Sequence, residues 1–276
     1  MRFALIDNKP TEAASGLNGG VCPGCGAPVI AKCGTHKVHH WAHKGVKMCD
    51  NWWEPETEWH RAWKNNFPKE WQEIFLPDEQ TGEKHIADVK TEHGLVIEFQ
   101  HSHIKSEERI SREKFYRNMV WVVDGTRLKY DLPRFLKGGK FGAIQLKPGI
   151  MHVEFADDFF PRNWLKSSVP VVFDFYGLGN SDCLENIRHN LFCLFPSHDD
   201  FEAVYAIIPR RVFIRTVING EWSERARAFM DEMEAEWQEE QLKRAQWRQG
   251  STRVSYRPVR YIKVYTRPKR YVRRRR

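Results

Sequence analysis

The sequence predicts a mixed α/β (α+β) protein whose core follows a small metal-binding module and precedes a β-rich and helical extension. Two strand-like apolar runs, each containing one acidic residue, lie between residues 84 and 101, and segments of helical periodicity lie on either side of them. Closely spaced Cys and His residues occupy the first fifty positions. These three observations together predict the fold class.

Periodicity divides the core into six elements in the order helix, three strands, helix and strand. They fall at about residues 56–67, 71–76, 84–91, 94–101, 105–118 and 119–124. Segment 94–101 is predicted to be a central strand, because the run 95–99 is apolar apart from Glu98. Asp88 is the acid of the preceding strand.

Asp88 and Glu98 require a physical explanation at these positions. An ionised carboxylate in a strand that is covered on both faces costs several kcal/mol unless a cation or hydrogen-bond donors compensate it. A pair of carboxylates on neighbouring strands therefore indicates a metal site that acts on a phosphodiester. The alternative is a hairpin turning at His93-Gly94 whose two acids face water.

The acids belong to a series of motifs with a defined order. The motifs are ETEWH at residues 56–60, HIADV at 85–89, IEFQHS at 97–102 and REKFY at 112–116. In these motifs the chain resembles the competence protein CoiA family, over roughly its first 125 residues. The resemblance implies a PD-(D/E)XK restriction-endonuclease-like core with the order αβββαβ.

The resemblance also implies a catalytic metal site. Asp88 and Glu98 would hold Mg²⁺ or Mn²⁺, hard cations that prefer carboxylate oxygens. Gln100 stands where the superfamily motif has Lys, and an amide can orient the attacking water but carries no charge. A cation supplied from elsewhere would come from Lys64 or Lys105.

Two helical faces carry further candidate residues. Glu56, His60 and Lys64 recur at i, i+4 and i+8, so they share one face of one helix. With the resemblance, Glu56 would complete or water-bridge the metal shell, and His60 would contact phosphate or shuttle a proton. On pattern alone, an ordinary amphipathic helix with a polar stripe is the favoured explanation of this face, and only the resemblance reverses that preference.

The second helix repeats cationic and aromatic residues in a similar way. Arg109, Arg112 and Tyr116 lie on one face and resemble a phosphate-facing R-x3-Y pattern, although a solvated run of charges is the alternative. With Lys64 and Lys105, they are the predicted nucleic-acid contacts of the core.

A second specific motif predicts a structural zinc site. Cys22-Pro23-Gly24-Cys25-Gly26 forms a knuckle with two thiols, and His40-Trp41-Ala42-His43 follows it. The resemblance favours Cys22, Cys25, His40 and His43 as the ligands. The competing ligands nearby are Cys33, His36, His39 and Cys49. A disulfide framework is the alternative, but six cysteines spread over 276 residues without a signal peptide lead us to expect a reducing, cytoplasmic compartment.

The excess of positive charge is confined to the C-terminus. The formal net charge is +8, and residues 250–276 contain eleven Lys or Arg and no acid. Tyrosines alternate with these cations before the closing run Arg273, Arg274, Arg275 and Arg276. Cations interleaved with aromatic rings suit a phosphate backbone with stacked bases, which weakly favours single-stranded DNA. A disordered solubilising tail is the alternative.

Five regions are expected: a zinc knuckle at 1–50, the nuclease-like core at 51–135, a mixed β extension at 136–220, a long acidic helix at 221–249 and a disordered basic tail at 250–276. Strands are predicted around 141–147, 151–156, 171–176 and 202–208, and the pattern does not decide whether they extend the core sheet. No run of 18 apolar residues appears, so we expect no membrane span.

The predicted function is a Mg²⁺- or Mn²⁺-dependent deoxyribonuclease in DNA uptake, recombination, repair or defence. Two rival functions belong to other classes: a non-catalytic nucleic-acid-binding protein on a nuclease-like fold, and a zinc-dependent adaptor. Gln100 keeps the first rival open, because it replaces the charged residue of the superfamily motif.

Overall fold

The computed structural model describes residues 1–45, 50, 52, 55–78, 82, 84–139, 142–175, 189–198 and 201–250. The prediction for the basic tail, including Arg273, Arg274, Arg275 and Arg276, falls outside these residues, as does the candidate ligand Cys49. By its internal contacts the chain divides into two units, Met1–Met230 and Asp231–Arg276. None of the described helices combines the length and apolarity that a membrane crossing requires.

A mixed sheet organises the first unit. In the described part of the chain, nine strands have the order β5-β6-β7-β8-β11-β12-β13-β10-β9. The strands are β5 (Gln72–Pro77), β6 (Lys84–Lys90), β7 (Val96–Gln100), β8 (Met119–Asp124), β9 (Ala143–Lys147), β10 (Ile150–Glu154), β11 (Val171–Asp174), β12 (Asn190–Leu194) and β13 (Glu202–Pro209). β8 pairs in parallel with β7 and β11, and the remaining pairs are antiparallel.

Six α-helices lie among the described residues. They are α1 (Glu58–Lys64), α2 (Ser106–Tyr116), α3 (Asp131–Gly138), α4 (Arg162–Leu165), α5 (Arg210–Ile218) and α6 (Trp222–Gly250), with short 3₁₀ helices at Lys69–Trp71 and Ala156–Asp158. The predicted mixed α/β class is confirmed. α1, β5, β6, β7, α2 and β8 follow one another in the predicted order of helix, three strands, helix and strand.

The centre of the sheet is apolar because its parallel strands are covered on both faces. Every residue of β7 and β8 is buried, including Glu98, whereas the exposure of β6 alternates along the strand. The main core cluster combines β8 residues such as Trp121 with residues of the extension such as Phe160 and, in β11, Phe173. The extension therefore shares the core of the preceding segment.

The parallel pairing of β11 with β8 settles a question that the sequence leaves open. Val171 lies opposite Trp121 and Asp174 lies opposite Asp124, so segment 136–220 continues the same sheet. Sequence periodicity missed β12, α3, α4 and α5. It did locate the strands that became β9, β10, β11 and β13.

The N-terminal segment forms two small hairpins around one aromatic residue. β1 (Phe3–Ile6) pairs with β2 (Lys9–Glu12), and β3 (Val29–Lys32) pairs with β4 (His40–His43). Trp41 lies 1 % exposed at their centre, and its indole Nε1 donates to Thr11 O at 2.8 Å. Trp41 N also donates to Met1 O at 2.8 Å, which joins β4 to the start of the chain.

Candidate active site and metal centre

The acids Asp88 and Glu98 lie where two neighbouring strands separate. β6 and β7 pair only through Val89↔Ile97 and Lys90↔Val96. Beyond that point, carboxylate oxygens accept hydrogen bonds from backbone amides that would otherwise pair the two strands. Asp88 Oδ2 accepts from Phe99 N at 3.0 Å, and Glu98 Oε1 accepts from Asp88 N at 3.2 Å. The separation of the strands therefore brings both carboxylates to one place.

These carboxylates line a cavity of about 50 Å³. Its lining residues come from the chain start, α1, three strands, α2 and the segment before α1: Met1, Asp50, Trp52, Glu56, His60, Lys64, Glu73, Ile86, Asp88, Glu98, Phe99 and Arg112. A water molecule needs roughly 10–15 Å³ of such volume, so the cavity has room for a cation with a few waters.

Burial and a neighbouring like charge control the ionisation of Glu98. The residue is 2 % exposed, and its Oε2 accepts from Arg112 Nη1 at 2.7 Å. Burial and, secondly, the nearby Asp88 carboxylate raise the pKa of Glu98 to about 8, against the opposing effect of Arg112. The cavity thus holds two carboxylates that resist simultaneous ionisation, an arrangement that additional positive charge would stabilise.

Lys64 supplies a cation inside this cavity. Its Nζ lies 3.0 Å from Asp88 Oδ1, 3.2 Å from Glu73 Oε1 and 3.4 Å from Glu56 Oε1, and its side chain is 4 % exposed. Burial alone would lower the lysine pKa, but the three carboxylates outweigh burial and raise it above the ordinary value. Lys64 therefore remains an ammonium ion next to Asp88.

Glu73 is a site residue that the sequence analysis missed. Its carboxylate accepts from Arg2 N at 2.8 Å and 2.7 Å and from Phe3 N at 3.2 Å. Burial opposes its ionisation, but the Lys64 cation and the backbone donors lower its pKa to about 2. In the register of β5 with β6, Gln72 pairs with Val89 and Ile74 with Ala87, so Glu73 lies opposite Asp88, a relation that the sequence alone does not reveal.

Glu56 and His60 both line the cavity as predicted, but both ring nitrogens of His60 already make hydrogen bonds. His60 Nε2 donates to Phe99 O at 3.0 Å, and its Nδ1 accepts from Thr57 N at 3.2 Å within the capping box that begins α1. His60 therefore supports the cavity wall, and neither ring nitrogen faces a phosphate in this arrangement. Glu56 lines the cavity and pairs with Arg61 and Lys64.

The structure places three other predicted residues away from the cavity lining. Gln100 Nε2 donates to Ser102 O at 3.2 Å, and Lys105 is an exposed residue just before α2. Arg109 is 1 % exposed and its Nη1 lies 2.6 Å from Glu113 Oε1. The prediction that Arg109 contacts nucleic acid is corrected by this burial, because its guanidinium is not presented to solvent.

Arg112 and Tyr116 lie near the acids and are buried. Arg112 Nη2 contacts Glu108 and Trp52 O in addition to the Nη1 contact with Glu98. Burial and the Glu98 carboxylate raise the pKa of the Tyr116 hydroxyl well above its ordinary value, so the phenol is neutral. Arg112 therefore orients Glu98 and has no side exposed to a DNA backbone.

The N-terminal knuckle brings three metal-binding atoms together. The ligand atoms of Cys22, Cys25 and His43 lie within 4.8 Å of one another, and Cys25 Sγ is 3.3 Å from His43 Nε2. Two sulfur atoms and one imidazole nitrogen are a donor set that Zn²⁺ prefers. The site can therefore hold a metal such as zinc.

His40 does not join this cluster, so the structure brings together three of the four ligands that the resemblance implied. His40 and His43 are three residues apart on β4, so their side chains point to opposite faces of the strand. His40 Nδ1 instead contacts Val38 O at 2.9 Å. Among the described residues, Cys33, His36 and His39 also lie outside the cluster.

The fold and the two sites define a mixed α/β protein that combines an N-terminal metal knuckle with a buried carboxylate and lysine cavity. Residues 9–51 match the family model of the competence protein CoiA N-terminal domain. The resemblance to the competence protein CoiA family is thus confirmed over these residues. No curated protein and no solved structure matches the chain, so the PD-(D/E)XK assignment stays a prediction.

Proposed function

We propose that the chain is a Mg²⁺- or Mn²⁺-dependent deoxyribonuclease whose reaction takes place in the cavity between β6 and β7. One observation supports the proposal. Asp88 and Glu98 lie together where β6 and β7 separate, and Lys64 Nζ lies 3.0 Å from Asp88 Oδ1. One buried and one half-buried carboxylate and one fixed ammonium ion provide metal ligands and a cation for a phosphoryl group.

The donor set of the cavity fits a hard divalent cation. Asp88 and Glu98 would hold it, and Glu56 Oε1, a buried oxygen that accepts no hydrogen bond, offers a further oxygen ligand. When bound, the metal supplies a Lewis acid that lowers the pKa of water and polarises the phosphoryl oxygen. Ionisation of Glu98, which the metal-free site resists, is the condition for this binding.

The residues around the acids have separate roles in this proposal. Arg112 holds Glu98 Oε2 at 2.7 Å and fixes the direction of that carboxylate. Lys64 supplies the positive charge that the superfamily motif has in its lysine and that Gln100 does not carry. This charge would stabilise the developing negative charge on the phosphoryl oxygens. Glu73 and Glu56 keep the Lys64 side chain within the cavity.

The family domain supports a role related to competence, in which DNA is the substrate. We assign Cys22, Cys25 and His43 to structural Zn²⁺ and assign single-stranded DNA as the favoured partner of the basic tail. Uptake and recombination of DNA in a cytoplasmic setting would use both the cavity and the tail.

A second candidate is a protein that binds nucleic acid without cleaving it. One observation favours it: both carboxylates already have cationic partners, Asp88 with Lys64 and Glu98 with Arg112. A closed network of ion pairs can be a structural feature with no metal at all. Metal affinity and cleavage distinguish the two candidates.

Asp88→Asn and Glu98→Gln test the proposed active site. We expect each variant to lose Mg²⁺-dependent cleavage of labelled DNA by about a thousandfold, because such a loss corresponds to roughly 4 kcal/mol of transition-state stabilisation. DNA affinity in the absence of metal should stay near that of the wild type. Rates are measured on single- and double-stranded substrates over a titration of Mg²⁺ and Mn²⁺.

Asp157→Asn is the matched control, because Asp157 is a carboxylate that pairs with the exposed Arg162. It should cleave DNA like the wild type. Equal cleavage by the wild type and both cavity variants would remove the assignment. Metal-independent DNA binding with no cleavage by any form would establish the second candidate.

A further inference from the structure

The metal knuckle packs directly on the strand that carries Glu73. A Cβ atom on Gly24, between the two knuckle cysteines, would lie 2.1 Å from the Phe75 ring. Lys84 Nζ on β6 donates to Gly24 O at 2.8 Å. The knuckle therefore rests on β5 and β6 with no intervening space, two residues along the chain from Glu73.

The start of the chain joins the knuckle to the cavity. Cys22 Sγ lies 3.6 Å from Met1 Sδ, and Leu5 exchanges two backbone hydrogen bonds with Val21 at 2.8 Å and 2.9 Å. Met1 also lines the cavity. The position of β1 consequently depends on the loop that contains Cys22.

β1 determines the position of the Glu73 carboxylate. The amides of Arg2 and Phe3 both donate to it, and Glu73 has a backbone φ of +54°, a left-handed conformation that is unfavourable for a residue with a side chain. Such a conformation persists only where the surroundings enforce it. The two amides and Lys64 are the partners that enforce it here.

We propose that Glu73 is a positioning residue that couples the metal state of the knuckle to Lys64 in the cavity. With the metal bound, β1 holds Glu73 against Lys64, and Lys64 stays next to Asp88. When the metal is lost, β1 shifts, Glu73 loses its two amide donors, and Lys64, then held only by Asp88 and Glu56, becomes more accessible to solvent. The effect on cleavage rests on the proposed function, but the position of Lys64 can be measured independently.

The accessibility of Lys64 to an amine reagent tests the coupling in the full-length protein. Competitive acylation followed by peptide mass spectrometry compares Lys64 with the exposed Lys114 on α2. In the zinc-loaded protein Lys64 should react far more slowly than Lys114. Removal of zinc with a chelator should raise the Lys64 rate about tenfold or more, as local opening exposes the amine, while the Lys114 rate stays constant.

Glu73→Gln separates positioning from general unfolding. The variant should retain its zinc and its unfolding cooperativity and still show the faster Lys64 acylation, because one of the three carboxylates that hold the ammonium ion is then neutral. Glu12→Gln is the matched control: Glu12 lies 3.1 Å from the Arg2 guanidinium and makes no ion pair with Lys64 among the described residues. In the Glu12→Gln variant, Lys64 should react with the acylating reagent as slowly as it does in the zinc-loaded wild type.

Two results would overturn the proposal. One is a Lys64 that stays protected after zinc removal, and the other is Lys64 acylation in Glu73→Gln that equals that in Glu12→Gln. If the protein cleaves DNA, Glu73→Gln should lower kcat with little change in KM. If no form cleaves DNA, the proposed function fails while the acylation result still decides the coupling.

Discussion

At the scale of single residues, Glu98 makes the cavity sensitive to pH. Its pKa lies near 8 in the folded protein and at an ordinary value near 4.5 in the unfolded chain. A carboxyl group with a raised pKa favours folding fully below the unfolded value, and this contribution is lost as the pH rises through the folded value. Without metal, the free energy of unfolding should therefore fall as the pH rises from about 4.5 to 8, as urea titrations at several pH values would show.

Under the proposed function, a bound divalent cation must offset the cost of ionising Glu98, and this requirement predicts how metal affinity depends on pH. Below pH 8 a divalent cation has to displace the proton of Glu98, so Mn²⁺ affinity should rise about tenfold per pH unit from pH 6 and level off above 8. Calorimetric titrations in two buffers of different ionisation enthalpy should show close to one proton released at pH 7. A pH-independent affinity with no proton release would contradict the assignment of Glu98 as a ligand.

Asp88 and Glu98 could be singled out from sequence because each interrupts an apolar strand, and that contrast is local. Glu73 could not, since in the run 71–76 it looks like the ordinary polar face of an amphipathic strand. Its role depends on the amides of Arg2 and Phe3, about 70 positions earlier, and on the register opposite Asp88. Such partners are set by tertiary structure and have no local signal.

At the scale of elements, β4 illustrates how secondary structure limits a motif. The resemblance favoured both histidines of HWAH, but the motif folds as a strand, in which residues three apart face opposite ways. Periodicity predicts no strand over His40–His43. Had it done so, the alternation of side chains alone would have excluded a ligand set that contains both His40 and His43.

The zinc content of variants tests this limit. The wild type should carry about one zinc per chain, and Cys25→Ser or His43→Ala should lose most of it, because each removes one of the ligands that close the site. His40→Ala should retain its zinc. Zinc is measured by elemental analysis of the purified protein, with Cys193→Ser as the control, since that thiol is buried in β12. Loss of zinc in His40→Ala would restore the predicted four-ligand set.

At the scale of the whole molecule, the order of elements was predictable and their assembly was not. Periodicity located α1, the four strands β5 to β8 and α2, because each has a strong repeat of its own. It did not show that segment 136–220 joins the same sheet, since a strand run contains no information about its partner. Only the long-range pairing of β8 with β11 reveals that the core continues beyond residue 135.

This pairing predicts how shortened chains behave. A chain that ends at residue 135 would lack β11, so the hydrogen-bonding edge of β8 would be exposed next to Trp121 and Val123. It should aggregate in light-scattering and size-exclusion measurements. A chain that ends at Met230 keeps every strand of the sheet and should remain monodisperse. Equal behaviour of the two chains would mean that β8 does not need its parallel neighbour.

The pairing of β8 with β11 also bears on inheritance. An ancestral or transferred segment that ended after β8 would leave the edge of this buried strand unpaired and prone to aggregate. We therefore expect that the cavity cannot be inherited without the extension. Insertions and deletions that leave the protein folded should therefore lie outside the nine described strands. Among related sequences, the cavity residues and the extension that completes their sheet should be present or absent together.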